Sequence, residues 1–300
     1  MEHPQQHISS NNQFVVDLLT TLREEKYSLI AWQRFLVRSW QMSCETARTF
    51  PSLKRSWVHV TILMSALAFG LCIFTYIVEG SGTVLRLLPG LICCVAWQQS
   101  DLFWHLGLNR DSGTGQIFTS IGVANILTGL RGLCASYVLA RLVGGLHTPT
   151  WLAFSLFIIG IVTDIFDGLV ARTTQTQSKL GQIADGETDF CLYGAICIIL
   201  VQNSLLPLWL GLVMIARFLL PLIGALLSYF LFAHPLRFGS TRIGKFAGLS
   251  QCLYFLVLLA PPLFAPLTHL IALPLLIVTL VLLVLAPIAQ ITANVSRETY

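Results

Sequence analysis

The feature that most constrains this chain is a series of apolar runs, each about the length needed to cross a bilayer. A spanning helix needs about 20 mostly apolar residues, and eight stretches meet that need: Trp57–Val78, Val84–Leu106, Ile126–Leu146, Trp151–Ala171, Ile183–Gln202, Leu206–Phe232, Phe246–Leu263 and Thr268–Ile291. Only 11% of the 300 residues are charged, against about 25% in an ordinary soluble domain. The chain therefore cannot cover a soluble globule with solvated side chains, and its hydrophobicity excludes disorder. An all-α polytopic membrane protein is expected, with eight spans, or seven if the second run, interrupted by Pro89, Gln98, Gln99, Asp101 and His105, does not cross.

The distribution of the basic residues says more than the net charge of +4. Lys54, Arg55, Arg110, Arg172, Lys179, Arg237, Arg242, Lys245 and Arg297 fall on one set of connections; the other contains Arg86, Arg141 and His147 near its edges, and its turns around Asn203 and Pro266 carry no charge. By the positive-inside rule both termini and the basic loops are expected in the cytoplasm. No signal peptide is recognisable, so the first span is expected to direct insertion. The eight cysteines form no CxxC pair and read as packing thiols. No repeat of 20–50 residues is evident, and nothing points to nucleic acid.

Three regions follow: 1–56, a cytoplasmic or interfacial amphipathic helical segment; 57–110, an extra transmembrane hairpin; and 111–300, the main membrane domain. In the first, Phe14, Leu18, Leu19, Leu22, Leu29, Ile30, Phe35, Leu36 and Trp40 recur at roughly helical spacing, with Arg23, Lys26, Arg34, Arg38 and Arg48 elsewhere. That pattern suits a helix lying on the membrane surface. A helical hairpin packed on the protein is the alternative.

The chemistry concentrates between Asp164 and Asp189. Asp164, Asp167, Gly168 and Ala171 share one helical face, and Gly181, Asp185 and Asp189 share a face of the next helix. The polar turn 173–178 joins the two helices, with Arg172 and Lys179 at its ends. Two adjacent antiparallel helices would then aim four carboxylates at one point. An acidic residue at the bilayer centre costs about 2.5–3.5 kcal/mol, and Arg172 alone cannot neutralise four of them. Hard Mg²⁺ or Mn²⁺ suits clustered carboxylate oxygens, and two ions would balance four charges. Gly168, Ala171 and Gly181 would open a groove for a phosphate-bearing ligand, with Arg172 as a partner for its diphosphate. Metal-assisted phosphoryl chemistry follows, with one carboxylate able to take a proton from an attacking hydroxyl.

The stretch DxxDGxxARx8GxxxDxxxD, running without mismatch from Asp164 to Asp189, resembles the signature of the CDP-alcohol phosphatidyltransferase family. The resemblance implies a six-helix membrane core, about Gly115–Ile291 here, usually a homodimer, with its active site open to the cytoplasm. The location implied is a cell inner membrane. It implies attack of a hydroxyl on the phosphorus of a CDP-activated substrate, with release of CMP and dependence on Mg²⁺ or Mn²⁺. Carried over, Asp164, Asp167 and Asp185 hold metal, and Asp189 completes the metal site and is the candidate general base. Gly168, Ala171, Arg172 and Gly181 bind the CDP part. Asn125–Arg131 is similar to an NxxTxxR opening of the first core helix, which would bring Thr128 and Arg131 to the CDP-binding cleft. The preceding position, where many members have proline, is Ala124.

Arg217 lies far from either end of its span, and an intramembrane arginine usually faces a polar cavity. With Arg237, Arg242 and Lys245 it would form an anion site for an acceptor alcohol that carries a phosphate, such as glycerol 3-phosphate or inositol phosphate. Pairing of Arg217 with a carboxylate or carbonyl, and of the loop cations with anionic lipid, is the other reading. The favoured function is transfer of a phosphatidyl group from CDP-diacylglycerol to a hydroxyl acceptor. Transfer of a phospho-alcohol from a soluble CDP-alcohol to diacylglycerol is a sibling, and an ion-coupled transporter using the Asp cluster is the alternative from another class.

Overall fold

The structure, a computed structural model, describes residues 20–111, 114–232 and 241–295. Its long helices are α1 (Leu29–Thr49), α2 (Pro51–Glu79), α3 (Ser81–Trp104), α4 (Val123–Val143), α5 (Thr150–Thr173), α6 (Lys179–Gln202), α7 (Leu208–Phe232), α8 (Arg242–Leu259) and α9 (Ala265–Val295). The chain is an all-α, multi-pass membrane protein. Each of the eight expected spans is a helix. Among the described residues, six helical segments are long and apolar enough to cross a bilayer: α2, α3, α4, α5, α8 and Pro262–Gln290. Of the two expected spans outside that set, α6 carries Lys179, Asp185, Glu187 and Asp189 in its first three turns, and α7 contributes a shorter apolar stretch, Leu208–Leu220.

Two compact units divide the chain, Met1–Leu133 with Thr163–Thr188, and Cys134–Val162 with Asp189–Tyr300. In the first, α1 begins where Lys26 and Tyr27 adopt positive φ and the Ser28 hydroxyl accepts from the Ala31 amide. One side of α1 buries Ala31, Ser43, Thr46 and Ala47, while Leu29, Ile30, Leu36, Val37 and Trp40 stay exposed. The helix is thus packed on the protein along one side and apolar outward along another. Its part before residue 20 lies outside the described residues.

Proline at N1 starts α2, and Gly80, with φ of 87°, turns the chain into α3. Leu53, Val60, Met64, Leu106 and Ile121 form a buried core against these helices. The polar residues that weakened the reading of α3 as a span prove to be its attachments. Gln99 is buried, and its side chain and carbonyl accept from Thr61 Oγ1 at 3.1 Å and Trp57 Nε1 at 3.0 Å. Gln98 donates to the Gly129 carbonyl at 2.8 Å. Hydrogen bonds of this kind let amides sit among apolar helices, although the Oε1 of Gln98 is buried with no hydrogen-bond partner among the described residues. Elsewhere α2 and α3 expose Ile77, Leu85 and Trp97, as a lipid-facing surface does.

In the second unit α8 packs along α9. Phe157, Tyr193, Phe218 and Phe255 make edge and tilted ring contacts with centroids 5.4–6.0 Å apart. Cys134, Cys197 and Cys252 are buried here and Cys72 in the first unit, whereas Cys93 and Cys191 face outward, so packing accounts for only part of the cysteines.

A carboxylate-lined cleft as the candidate active site

The helical registers of α5 and α6 set the site. Asp164 and Asp167 lie three residues apart on α5, and Asp185 lies on the second turn of α6. Asp164 and Asp185 each offer an oxygen within 4.8 Å of the other, while Asp167 is buried. Asp189 follows Asp185 by one turn on the same face of α6.

Arg131 of α4 stands among the three acids of the first unit. Its side chain is 1% exposed; it pairs with Asp164 and Asp185 and lies 3.4 Å from Asp167 Oδ2. Its Nε donates to Thr188 Oγ1 at 3.1 Å. Thr128, one turn earlier, donates to Asp167 Oδ2 at 2.9 Å. The resemblance of Asn125–Arg131 to an NxxTxxR opening places Arg131 at the cleft, while Arg172 is the nearer counter-charge along the chain. The cation paired with the acids is instead Arg131, brought from a helix more than 30 residues away. Thr188 was missed, and nothing in its own sequence neighbourhood marks it.

Beside the acids opens a cleft of about 180 Å³. Thr128, Asp167, Gly168, Ala171, Arg172, Gly181 and Asp185 line it, with Asn125 and the turn residues Thr176, Gln177 and Ser178. Two glycines shape it. A Cβ on Gly168 would stand 3.1 Å from Arg172 Nη1, so the missing side chain is what seats the guanidinium. A Cβ on Gly181 would stand 2.8 Å from Asn125 Oδ1.

The donor set fits a hard divalent cation: oxygen ligands only, two of them partly exposed, and a concentration of negative charge that already draws in a buried arginine. Within the first unit, Asp164, Asp167 and Asp185 are the residues that could hold such an ion.

In the second unit the Arg217 guanidinium donates to Gln251 Oε1 at 3.2 Å and sits 4.7 Å over the Phe218 ring. It fills the space a Cβ on Gly248 would need, and the Asp189 charge acts on it. These partners, a carboxylate charge and an amide oxygen, are those of the pairing reading of Arg217. Arg242 and Lys245 are exposed on the first turn of α8, whose Thr241 caps the Gly244 amide at 3.0 Å. Gly248 and Gln251, which Arg217 touches, lie one and two turns further along that helix. Arg237 lies outside the described residues.

An all-helical, multi-pass membrane protein with a carboxylate-lined cleft is the class that fold and site define. Residues 121–286 match the family described as CDP-alcohol phosphatidyltransferase. The chain belongs to that family, as its Asp164–Asp189 stretch implied.

Among curated proteins, the chain is 37% identical over 90 residues to a CDP-diacylglycerol–glycerol-3-phosphate 3-phosphatidyltransferase of Cereibacter sphaeroides, covering 29% of this chain and 40% of that one. It is 36% identical over 89 residues to a probable cardiolipin synthase (CMP-forming) of Drosophila melanogaster, covering 29% of this chain and 27% of that one. It is 31% identical over 120 residues to a probable phosphatidylglycerophosphate synthase of Mycobacterium tuberculosis, covering 38% and 57%. The matched region thus spans from about a quarter to somewhat over half of these relatives. No solved structure matches the chain. The transporter reading finds no support in these comparisons.

Proposed function

We propose that the protein transfers a phosphatidyl group from CDP-diacylglycerol to the hydroxyl of a small alcohol and releases CMP. The observation that carries this reading is the cleft in which Asp167 and Asp185, Arg172, and the side-chain-free positions Gly168 and Gly181 meet. A nucleoside diphosphate needs this combination: acids for divalent ions, a fork of donors for phosphate oxygens, and backbone that the ligand can approach.

The residues divide the work. Thr128, Gly168, Ala171, Arg172 and Gly181 bind the CDP portion. Arg131, beside Asp164, Asp167 and Asp185, would offer its guanidinium to the diphosphate. Asp164, Asp167, Asp185 and Asp189 would hold magnesium or manganese, two ions in the full site, which when bound would supply charge stabilisation at the phosphoryl oxygens. Asp189 accepts the proton of the acceptor hydroxyl. The acceptor oxygen forms a bond to the phosphorus bearing diacylglycerol, the bond from that phosphorus to the CMP oxygen breaks, and CMP leaves with the electron pair.

Arg217, Arg242 and Lys245, with Arg237, form the anion site for the acceptor. A phosphorylated polyol is the acceptor class this favours, glycerol 3-phosphate first, since two of the relatives named above carry glycerol 3-phosphate or phosphatidylglycerophosphate in their names. The protein works as a homodimer in a cell inner membrane, with the cleft open to the cytoplasm, as the basic loops suggest.

Purified protein supplied with radiolabelled CDP-diacylglycerol and a panel of acceptors tests the reading. CMP and a new phospholipid are expected with glycerol 3-phosphate or another phosphorylated polyol. Product only from a soluble CDP-alcohol and diacylglycerol would instead establish the sibling reaction. Asp189→Asn is expected to abolish turnover while nucleotide binding stays detectable; full turnover in that variant would rule it out as the base.

A further inference from the structure

Polar contacts hold α1 to the hairpin that follows it. Ser43 Oγ donates to the Trp104 carbonyl, and the Trp104 indole donates to Ser39 Oγ at 2.6 Å. Thr46 Oγ1 stands 3.3 Å from where a Cβ on Gly107 would lie. The Trp40 ring packs on Phe103 and Trp104, with centroids 5.3 and 5.8 Å away. Phe50 alone separates α1 from α2. The helix is thus fixed at the end of the hairpin where α2 begins and α3 finishes. Both of those helices are long and apolar enough to span, so α1 lies where hydrocarbon gives way to headgroups.

At about 100° per residue, α1 has three edges. Ala31, Ser43 and Thr46 form the docked one. Leu29, Ile30, Leu36, Val37 and Trp40 form an exposed apolar one. Arg34 and Arg38, both exposed, border it, and Arg48 continues the line of Ile30 about five turns on. From Leu29 to Arg55 five basic residues accompany a single acid, Glu45. Arg34 pairs with Glu25 at 2.8 Å. Arg38, Arg48, Lys54 and Arg55 are exposed and make no salt bridge among the described residues. Lys54 and Arg55 stand in the first two turns of α2, where a cation opposes the helix dipole. Helix stability therefore does not account for them.

We propose that α1 is a binding surface for anionic phospholipid. Its apolar edge enters the acyl boundary, while Arg38 and Arg48, with Lys54 and Arg55 at the head of α2, meet the headgroup phosphates. An apolar edge alone accepts any lipid. The neighbouring cations make the choice, because the phosphate of a zwitterionic lipid is already balanced by its own amine and that of an anionic lipid is not. Apolar insertion and basic charge together give a stable hold on a membrane surface, where either alone is weak. The bilayer is the occupant that fits best, since α2 exposes Val58 and Ile62 within about three turns of its junction with α1.

This surface stands apart from the transfer reading, and no turnover is needed to test it. Full-length protein with photoreactive benzoylphenylalanine in place of Val37 is placed in nanodiscs of equal parts phosphatidylcholine and phosphatidylglycerol. After irradiation its adducts are identified by mass spectrometry. Lipid adducts are expected, with phosphatidylglycerol about threefold over phosphatidylcholine. The same probe in a protein carrying Arg38→Gln and Arg48→Gln should still take lipid, with the two kinds near parity. A probe in place of Ile30, also exposed, is expected to repeat both results.

Absence of lipid adducts at both probes would overturn the proposal, as would adducts to a second copy of the chain in their place. Equal capture of the two lipids with both arginines present would leave an apolar edge without charge recognition, and would overturn it too. Enrichment that survives both arginine exchanges would contradict the part assigned to Arg38 and Arg48.

Discussion

The Thr128 hydroxyl donates to Asp167 Oδ2 at 2.9 Å and so joins α4 to the buried member of the acidic set. A carboxylate taken out of water is stable only where donors or cations replace its hydration. Thr128 and Arg131 provide that from one helix, a turn apart.

Replacement of Thr128 by valine keeps the shape and removes the donor. An unsatisfied buried group costs about 1–3 kcal/mol, so Thr128→Val is expected to unfold at a lower temperature in detergent. It is also expected to lose roughly tenfold in CMP release, as Asp167 drifts from its place. An unfolding midpoint and rate equal to wild type would show that water replaces the hydroxyl.

Arg131→Met leaves Asp164, Asp167 and Asp185 facing one another without their cation. Breaking a buried ion pair on one side costs about 3–5 kcal/mol, and the chelated variant is expected to show a correspondingly lower unfolding midpoint. Saturating Mg²⁺ or Mn²⁺ binds the folded form and is expected to raise the midpoint of this variant more than that of wild type. Equal shifts in the two proteins would mean that arginine and metal do not share the carboxylates.

Much of this site is legible in the sequence because its parts are local. The spacings 164–167 and 181–185–189 are helical periods, and one turn of chain joins them, so the shared faces follow from periodicity alone. The service of Arg131 as the counter-charge is not local: it depends on α4 packing against α5 and α6, which no spacing encodes. Gln98 and Gln99 are illegible for a related reason. A polar residue in an apolar run reads as weakening a span, although here each one hydrogen-bonds to a residue on another helix. Arg217 was conspicuous for its depth, but its seat depends on Gly248 and Gln251 of another helix.

Gly181→Ala places a methyl 2.8 Å from Asn125 Oδ1, closer than van der Waals contact allows. The amide is expected to swing into the cleft and raise the KM for the CDP donor about tenfold, with the unfolding midpoint little changed. Steady-state kinetics with varied donor separates this from a loss of kcat alone, which would mean that the glycine serves helix packing instead.

Arg217→Gln keeps a polar group of shorter reach and removes the charge. If the guanidinium receives the phosphate of the acceptor, the acceptor KM rises at least tenfold while the donor KM holds. A fall in kcat with both KM values unchanged would assign Arg217 to holding Asp189 instead.

Dependence of CMP release on a divalent cation tests the central claim most directly, because the account assigns the acids of Asp164–Asp189 to that cation. Purified protein in lipid micelles, given CDP-diacylglycerol and the acceptor found active, is expected to stop releasing CMP on chelation. It should resume on addition of Mg²⁺ or Mn²⁺, and Asp185→Asn should stay inactive at every metal concentration. Undiminished release under chelation, or wild-type release by Asp185→Asn, would contradict the account.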